Sequence, residues 1–291
     1  MSILLKLICS WVSAVPLSSA LKIGKSLGWI YGHIVRYHRQ DALEALQQSF
    51  PEKSDGEIHA IANSMYRNLG MNLVESLRIG QIDDAYIEAC IEFQDQQVFA
   101  DCIQKGGGSL GLMAHIGNWE LLSVIPYTCK HPTTIIAKTI KNKAVNEVLH
   151  ELREKVGLHI LPAQHSYRAC LEALKKNEFL GFVLDQNMIR DEGVFVDFFG
   201  RPACTSPGLA YLSAQTRLPV HPVFIIRQNN GRHLVKVYPP IPPPAGRDPD
   251  SIHQATQQYT TVIEEVIRKV PEQWIWIHRR WRTQSVERSA G

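Results

Sequence analysis

Between residues 110 and 184, short apolar runs alternate with longer mixed segments, and this alternation constrains the fold more than any other feature. The runs 110–114, 133–137, 158–161 and 179–184 have the length and unbroken apolarity of buried strands. Between them, segments 119–129, 143–155 and 166–176 have the length of helices. Strands separated by helices pair in parallel, because each crossover returns the chain to the same end of the sheet. The expected class is therefore α/β: a single αβα domain with a mostly parallel central sheet. A further strand pair, 219–226 and 233–238, flanks Asn229-Asn230-Gly231 and reads as an antiparallel hairpin. A proline-rich connection, 239–244, leads to a last long helix over 251–270.

The chain before this alternation has a different character. Residues 3–21 are almost all apolar or small, interrupted by Lys6 and Pro16. The run is just about the ~20 residues that a spanning helix needs, so a cleaved signal, a spanning anchor and a helix lying in the membrane surface all compete. Lys22, Lys25, Arg36, His38 and Arg39 follow it, and such flanking charge favours a cytoplasmic body. Residues 27–35, with Trp29 and Tyr31, suit the headgroup zone, which favours a membrane-attached helix. The expected division is an N-terminal membrane-associated helical extension over 1–40 and a main domain over 41–291. Within 41–79, Ser54 and Glu57 have the spacing of a capping box, and Ile58, Ile61, Met65, Leu69, Leu73 and Leu77 follow a helical period. Residues 86–93 read as a strand and 95–104 as a short helix ending at Gly106-Gly107-Gly108.

The first run of the alternation delivers His115 to its carboxyl end, where open α/β sheets bind their ligands. The turn Gly117-Asn118 follows, and Glu120 falls on the first turns of the next helix. In one helix, residues five apart point about 140° away from each other. With His115 still outside the helix, a hydrogen bond to Glu120 becomes feasible, and an imidazole oriented by a carboxylate makes a general base near neutral pH. Spacing alone is weak evidence. With 12 histidines in the chain, roughly one His-x4-Asp/Glu match arises by chance, and this chain has one.

Several other classes are disfavoured. The triple glycine lacks the Lys-Ser/Thr of a phosphate loop and precedes a strand. No G-x-S-x-G elbow of an α/β hydrolase occurs. Cysteines 9, 90, 102, 129, 170 and 204 show no C-x-x-C or metal-ligand spacing, so no metal is expected, and no motif in the chain calls for a cofactor. A nucleophilic Cys204 is the sharper alternative to six buried thiols. A net charge of +3 does not call for nucleic acid. A low charged fraction of 20% with a mean hydropathy of −0.13 hints at an apolar interface.

Four further stretches change the weight of His115. They are Ala137-Lys138 followed by Asn142, Asn146, Arg153 and Gly157; Gly181-Phe182-Val183-Leu184-Asp185-Gln186-Asn187; the block from Val194 through Phe198-Phe199-Gly200-Arg201-Pro202 to Gly208; and Pro271-Glu272-Gln273-Trp274-Ile275-Trp276-Ile277-His278-Arg279-Arg280-Trp281. In this order they resemble the bacterial lipid A biosynthesis (late, lauroyl/myristoyl) acyltransferase family, within the wider glycerolipid and lysophospholipid acyltransferases marked by a His-x4-Asp/Glu motif. The likeness covers nearly the whole chain. It departs at Asn187, where many members carry an acidic residue. The resemblance implies transfer of a fatty acyl chain from acyl carrier protein to a hydroxyl of a lipid A precursor or another glycolipid, at the cytoplasmic face of the inner membrane. His115 and Glu120 are then the expected catalytic pair. Asn118, Lys138, Arg153, Asp185, Gln186 and Arg201 are the expected substrate-binding residues.

Residue chemistry is consistent with those roles. Lys138 and Arg153 suit phosphate groups of the acceptor or of the carrier's arm, with solvated surface charge as the alternative. Arg201 suits an anionic head group. Trp274, Trp276 and Trp281 beside Arg279, Arg280 and Arg282 read either as a terminal helix docked near anionic lipid or as core tryptophans with a basic edge, which also suits an acidic carrier protein. Two competing readings remain: a membrane lipid-binding protein that kept the fold without the chemistry, and an acyltransferase for a different glycolipid or a lysophospholipid.

Overall fold

The computed structural model describes residues 2–95, 97, 108–137, 142–164 and 166–285. The expected helix over 95–104, the first two residues of the triple glycine and Lys138 lie largely or wholly outside them. A seven-stranded sheet forms the centre, in the order β1-β9-β8-β2-β5-β3-β4. Its strands are β1 (Ile91–Gln94), β2 (Ser109–Met113), β3 (Thr133–Ala137), β4 (Leu158–Pro162), β5 (Phe179–Val183), β8 (Val220–Arg227) and β9 (His233–Val237). Every pairing is parallel except β8–β9, the hairpin. The α/β class with a mostly parallel sheet is thus observed.

Both faces of the sheet are covered, which is why the β2 run reads as continuously apolar. Leu110, Leu112 and Ala114 pack into a cluster with Tyr66, Leu180 and Tyr259. Met113 packs into a second cluster with Leu121, Phe179 and Val223. β2 is flanked by β5 and β8, and its five residues are all buried.

One segment differs from its sequence reading, and another takes a form the sequence reading left open. Residues 86–93 divide into a helix, Asp84–Cys90, and strand β1. Asp83 caps the helix by accepting from the Tyr86 N–H at 2.7 Å, and extended structure begins where β9 offers a partner. The Phe198-Phe199-Gly200-Arg201 block forms the tip of a separate hairpin, β6 (Val194–Phe198) with β7 (Arg201–Thr205). Phe199 and Gly200 both have positive φ, 56° and 72°, the conformation of a two-residue hairpin turn.

At the N-terminus Pro16 divides the apolar run into α1 (Ser2–Ala14) and α2 (Leu17–Ile30). At about 1.5 Å per residue each is roughly 20 Å long, short of the ~30 Å hydrocarbon thickness. Among the described residues no helix is long and apolar enough to cross a membrane. A helix α3 (Arg39–Ser49) and the long α4 (Asp55–Ser76) follow, the latter started by the expected Ser54–Glu57 capping box. α2 presses onto α4 through glycines spaced by four. A Cβ added at Gly28 would sit 2.1 Å from the Tyr66 carbonyl oxygen, and one at Gly70 would sit 2.0 Å from that of Gly24. Only glycine permits so close an approach. Leu7 and Trp11 on α1, Leu27 and Trp29 on α2, and Ile34 and Val35 just beyond it are exposed.

Candidate active site

Strand register builds the site. β2 and β5 pair in parallel with Met113 opposite Val183 and Gly111 opposite Gly181. Two residues beyond each strand end stand His115 and Asp185, brought side by side at the carboxyl edge of the sheet. The His115 imidazole Nδ1 lies 2.9 Å from Asp185 Oδ1, and the His115 backbone N–H donates to Oδ2 at 3.1 Å. A third donor, the Trp274 indole N–H, reaches Oδ2 at 2.6 Å.

Asp185 is 3% exposed. Burial pushes its carboxyl up, but the His115 charge, the His115 side-chain bond and the Trp274 bond outweigh that and hold it at about 2. An ionised Asp185 accepts hydrogen bonds and donates none, so the proton of the neutral imidazole sits on Nδ1 and Nε2 carries the lone pair. Gln186 places its Nε2 3.2 Å from that atom, where an amide N–H can donate to it. The Trp119 ring stands edge-on to the imidazole, centroids 4.9 Å apart.

Glu120 does not meet His115. It falls on a 3-10 turn, Trp119–Ser123, that leads into an α-helix, Val124–Cys129. Both its carboxylate oxygens are taken by Arg153, at 3.0 Å from Nε and 2.6 Å from a terminal nitrogen. The expected hydrogen bond between His115 and Glu120 is therefore replaced by two separate pairs, His115–Asp185 and Glu120–Arg153. The reason is geometric: the neighbouring strand offers Nδ1 a carboxylate, while helix Lys143–Lys155 brings a guanidinium to Glu120. That ion pair is partly open, its side chains 15% and 17% exposed.

The other expected residues have distinct placements. Asn118 is fully buried, and its amide donates to Glu75 Oε2 at 2.7 Å. Arg201 stacks on the Trp281 ring, its guanidinium carbon 3.5 Å from the centroid, and bonds to Gln48 and Ser49 of α3. Burial lowers its pKa to about 10. Asn187 clasps Thr283 by two hydrogen bonds of 3.0 and 3.1 Å. Cys204 is fully buried with its thiol pushed up by burial, the opposite of an activated nucleophile. Of the tryptophan block, Trp274 and Trp276 are core residues, and Arg280 is buried too, over the Phe198 ring and donating to the Cys204 carbonyl at 2.6 Å. The segment after Lys269 is a short 3-10 turn, Pro271–Gln273, and then irregular chain rather than a terminal helix. Arg279 remains exposed and pairs with Asp41.

Comparison with known proteins identifies the family. The family described as bacterial lipid A biosynthesis acyltransferase matches residues 2–283. The chain is similar to a lipid A biosynthesis acyltransferase of Haemophilus influenzae, with 22% identity over 93% of this chain and 84% of that one. It is similar also to the lipid A biosynthesis palmitoleoyltransferase of Escherichia coli, with 24% identity over 96% and 90% of the two chains. A phosphatidylinositol mannoside acyltransferase of Mycobacterium tuberculosis is 24% identical over 62% of this chain and 56% of its own length.

Proposed function

Since this chain belongs to the bacterial lipid A biosynthesis acyltransferase family and is an O-acyltransferase, we propose that it moves a fatty acyl chain from acyl carrier protein onto a hydroxyl of a lipid A precursor, with His115 as general base. The observation that carries the chemistry is the His115–Asp185 pair. Nδ1 is committed to a buried carboxylate, which leaves Nε2 to take the proton of the acceptor hydroxyl as its oxygen attacks the thioester carbonyl. The tetrahedral oxyanion collapses, the carbon–sulfur bond breaks, and the imidazolium returns the proton to the departing thiolate. Asp185 holds the tautomer and stabilises the transient positive charge, as the third member of a triad does. Among the described residues no serine or cysteine bonds to either ring nitrogen, which supports direct transfer without an acyl-enzyme. Gln186 gives way to the incoming hydroxyl. Arg153, anchored by Glu120, is the group that meets a phosphate of the acceptor.

The apolar residues left exposed on α1 and α2 support attachment to the membrane surface, with phospholipids as the partner of that face and the body on the cytoplasmic side of the inner membrane. The relative that acts on a phosphatidylinositol mannoside favours a second reading for the acceptor, a different glycolipid. Purified protein incubated with labelled acyl carrier protein and, separately, a lipid A precursor, a phosphatidylinositol mannoside and a lysophospholipid distinguishes these. A product of one added acyl chain is expected on the lipid A precursor. Product on another acceptor alone overturns the assignment of the acceptor, and no product on any overturns the reaction.

A further inference from the structure

A buried ionic cluster lies beside the His115 turn, and no step of the proposed reaction uses it. Glu75, in the last turn of α4, is 2% exposed. Arg227 at the end of β8 grips both its oxygens at 2.8 and 2.6 Å. His233, the first residue of β9, places Nε2 3.0 Å from Oε1. Burial pushes the Glu75 carboxyl up, and the bonds from His233 and Arg227 outweigh it and hold it at about 2. Glu75 is thus a permanent anion with permanent partners.

The rest of the cluster reaches the catalytic turn. Arg227 donates to Asn72 Oδ1 at 2.8 Å, and the Asn72 amide donates to the Gly117 carbonyl at 2.5 Å. Gln273 exchanges two 2.8 Å bonds with the Arg227 backbone, while its own carbonyl accepts from the Gly117 N–H at 2.9 Å. Asn118 completes the contacts on Glu75. Both backbone polar groups of Gly117 and the side-chain amide of Asn118 are therefore held by this one cluster. Gly117 has φ +58°, and a Cβ there would sit 2.1 Å from the Ile225 carbonyl oxygen, so the turn is pressed against β8. Burying such charges is costly, and apolar replacements of equal volume often leave a fold as stable. What an apolar replacement cannot supply is directed bonds to Gly117 and Asn118.

We infer that Asn72, Glu75 and Arg227 are positioning residues for the acyl transfer, fixing the Gly117-Asn118 turn so that His115 stays on Asp185 with Nε2 toward the acceptor. The inference rests on His115 being the base. A displacement of about 1 Å at a reacting group costs on the order of 100-fold in rate, which sets the expected effect. Glu75→Gln lowers kcat about 100-fold with KM for donor and acceptor unchanged, and Asn72→Ala lowers it about tenfold. Nitrogen-15 shifts of the His115 ring, read in both variants, move from the single Nδ1–H form toward a tautomer mixture. If Glu75→Gln does not fold, because Arg227 is left without its counter-charge, Asn72→Ala carries the test alone. Unchanged kcat, or a lowered kcat with unchanged ring shifts, overturns the inference. His115→Ala assayed in parallel keeps the two proposals separate. Normal turnover there removes the base, while the ring shifts still decide whether the cluster holds the imidazole.

Discussion

Two carboxylates flank the histidine of the motif, and their surroundings differ in one decisive respect. Glu120 already has a permanent counter-ion, Arg153, bound through both oxygens at the partly open edge of the site. Asp185 is buried and held by three N–H donors, of which only the His115 ring can become charged during the reaction. A carboxylate already neutralised by arginine has little left to offer a transient imidazolium. Among the described residues Asp185 bonds to no arginine, although the buried Arg280 guanidinium lies within electrostatic reach of it, and so it keeps more to gain when the neighbouring imidazole takes a proton. The structure bonds His115 to Asp185 and not to Glu120, the acidic residue nearest it in sequence, and in the proposed mechanism it is Asp185 that answers the imidazolium.

The largest expected effect comes from removing the base. His115→Ala lowers kcat about 10⁴-fold while circular dichroism stays native, and turnover within tenfold of the wild type argues against the assignment. Asp185→Asn comes next, with a loss of about 1,000-fold. Its amide offers a donor where the ring needs an acceptor, and it favours the wrong tautomer. A loss as small as that expected below for Glu120→Gln removes the contrast between the two carboxylates.

That contrast was only half legible in the amino-acid sequence. The apolar runs specify β2, β3, β4 and β5 because a sheet covered on both faces needs uninterrupted apolar residues. The position of His115 at a strand exit follows directly. Its partner is harder to see, because β2 and β5 are neighbours in space while β3 and β4 lie between them in the chain. Nothing local states that order. One signal was available: His115 and Asp185 each stand two residues beyond a strand end, so in-register parallel pairing of those two strands would bring them together. The partners of Trp274 and Asn118 are hidden for the same reason, since their bonds to Asp185 and Glu75 span 89 and 43 residues. The Ser54–Glu57 capping box was legible because every group in it lies within four residues.

Glu120→Gln sharpens the comparison from the other side. The exchange keeps the shape, removes the ion pair and frees the Arg153 side chain to wander. If Arg153 binds a phosphate, the effect falls on KM for the phosphorylated acceptor, raised about tenfold, with kcat within threefold. Arg153→Lys, which cannot reproduce the two-point grip, has a similar effect. Steady-state kinetics with the acceptor varied separates the outcomes. A kcat loss matching that of Asp185→Asn, with KM unchanged, returns Glu120 to the proton-transfer machinery and dissolves the distinction.

The smallest effect tests what keeps Asp185 ionised. Its folded-state pKa, about 2, lies below the ordinary 3.8. A depressed carboxyl contributes stability that is complete above about 3.8 and lost as pH falls toward 2. Trp274→Phe keeps an aromatic ring against Phe198 and Trp276 and deletes the indole donor together with part of the buried ring, a packing loss that is read separately as the stability change at pH 7. Asp185 then binds its proton at higher pH, and the midpoint of acid unfolding moves up by roughly half to one pH unit, as expected for a bond to a charged acceptor. The rate falls only a few-fold, because His115 still donates through its ring and its backbone N–H. An unmoved acid midpoint, measured by far-ultraviolet circular dichroism between pH 5 and pH 2, places the depression of Asp185 on His115 alone. In that case one proton-accepting partner, rather than a three-donor cradle, is what separates this carboxylate from Glu120.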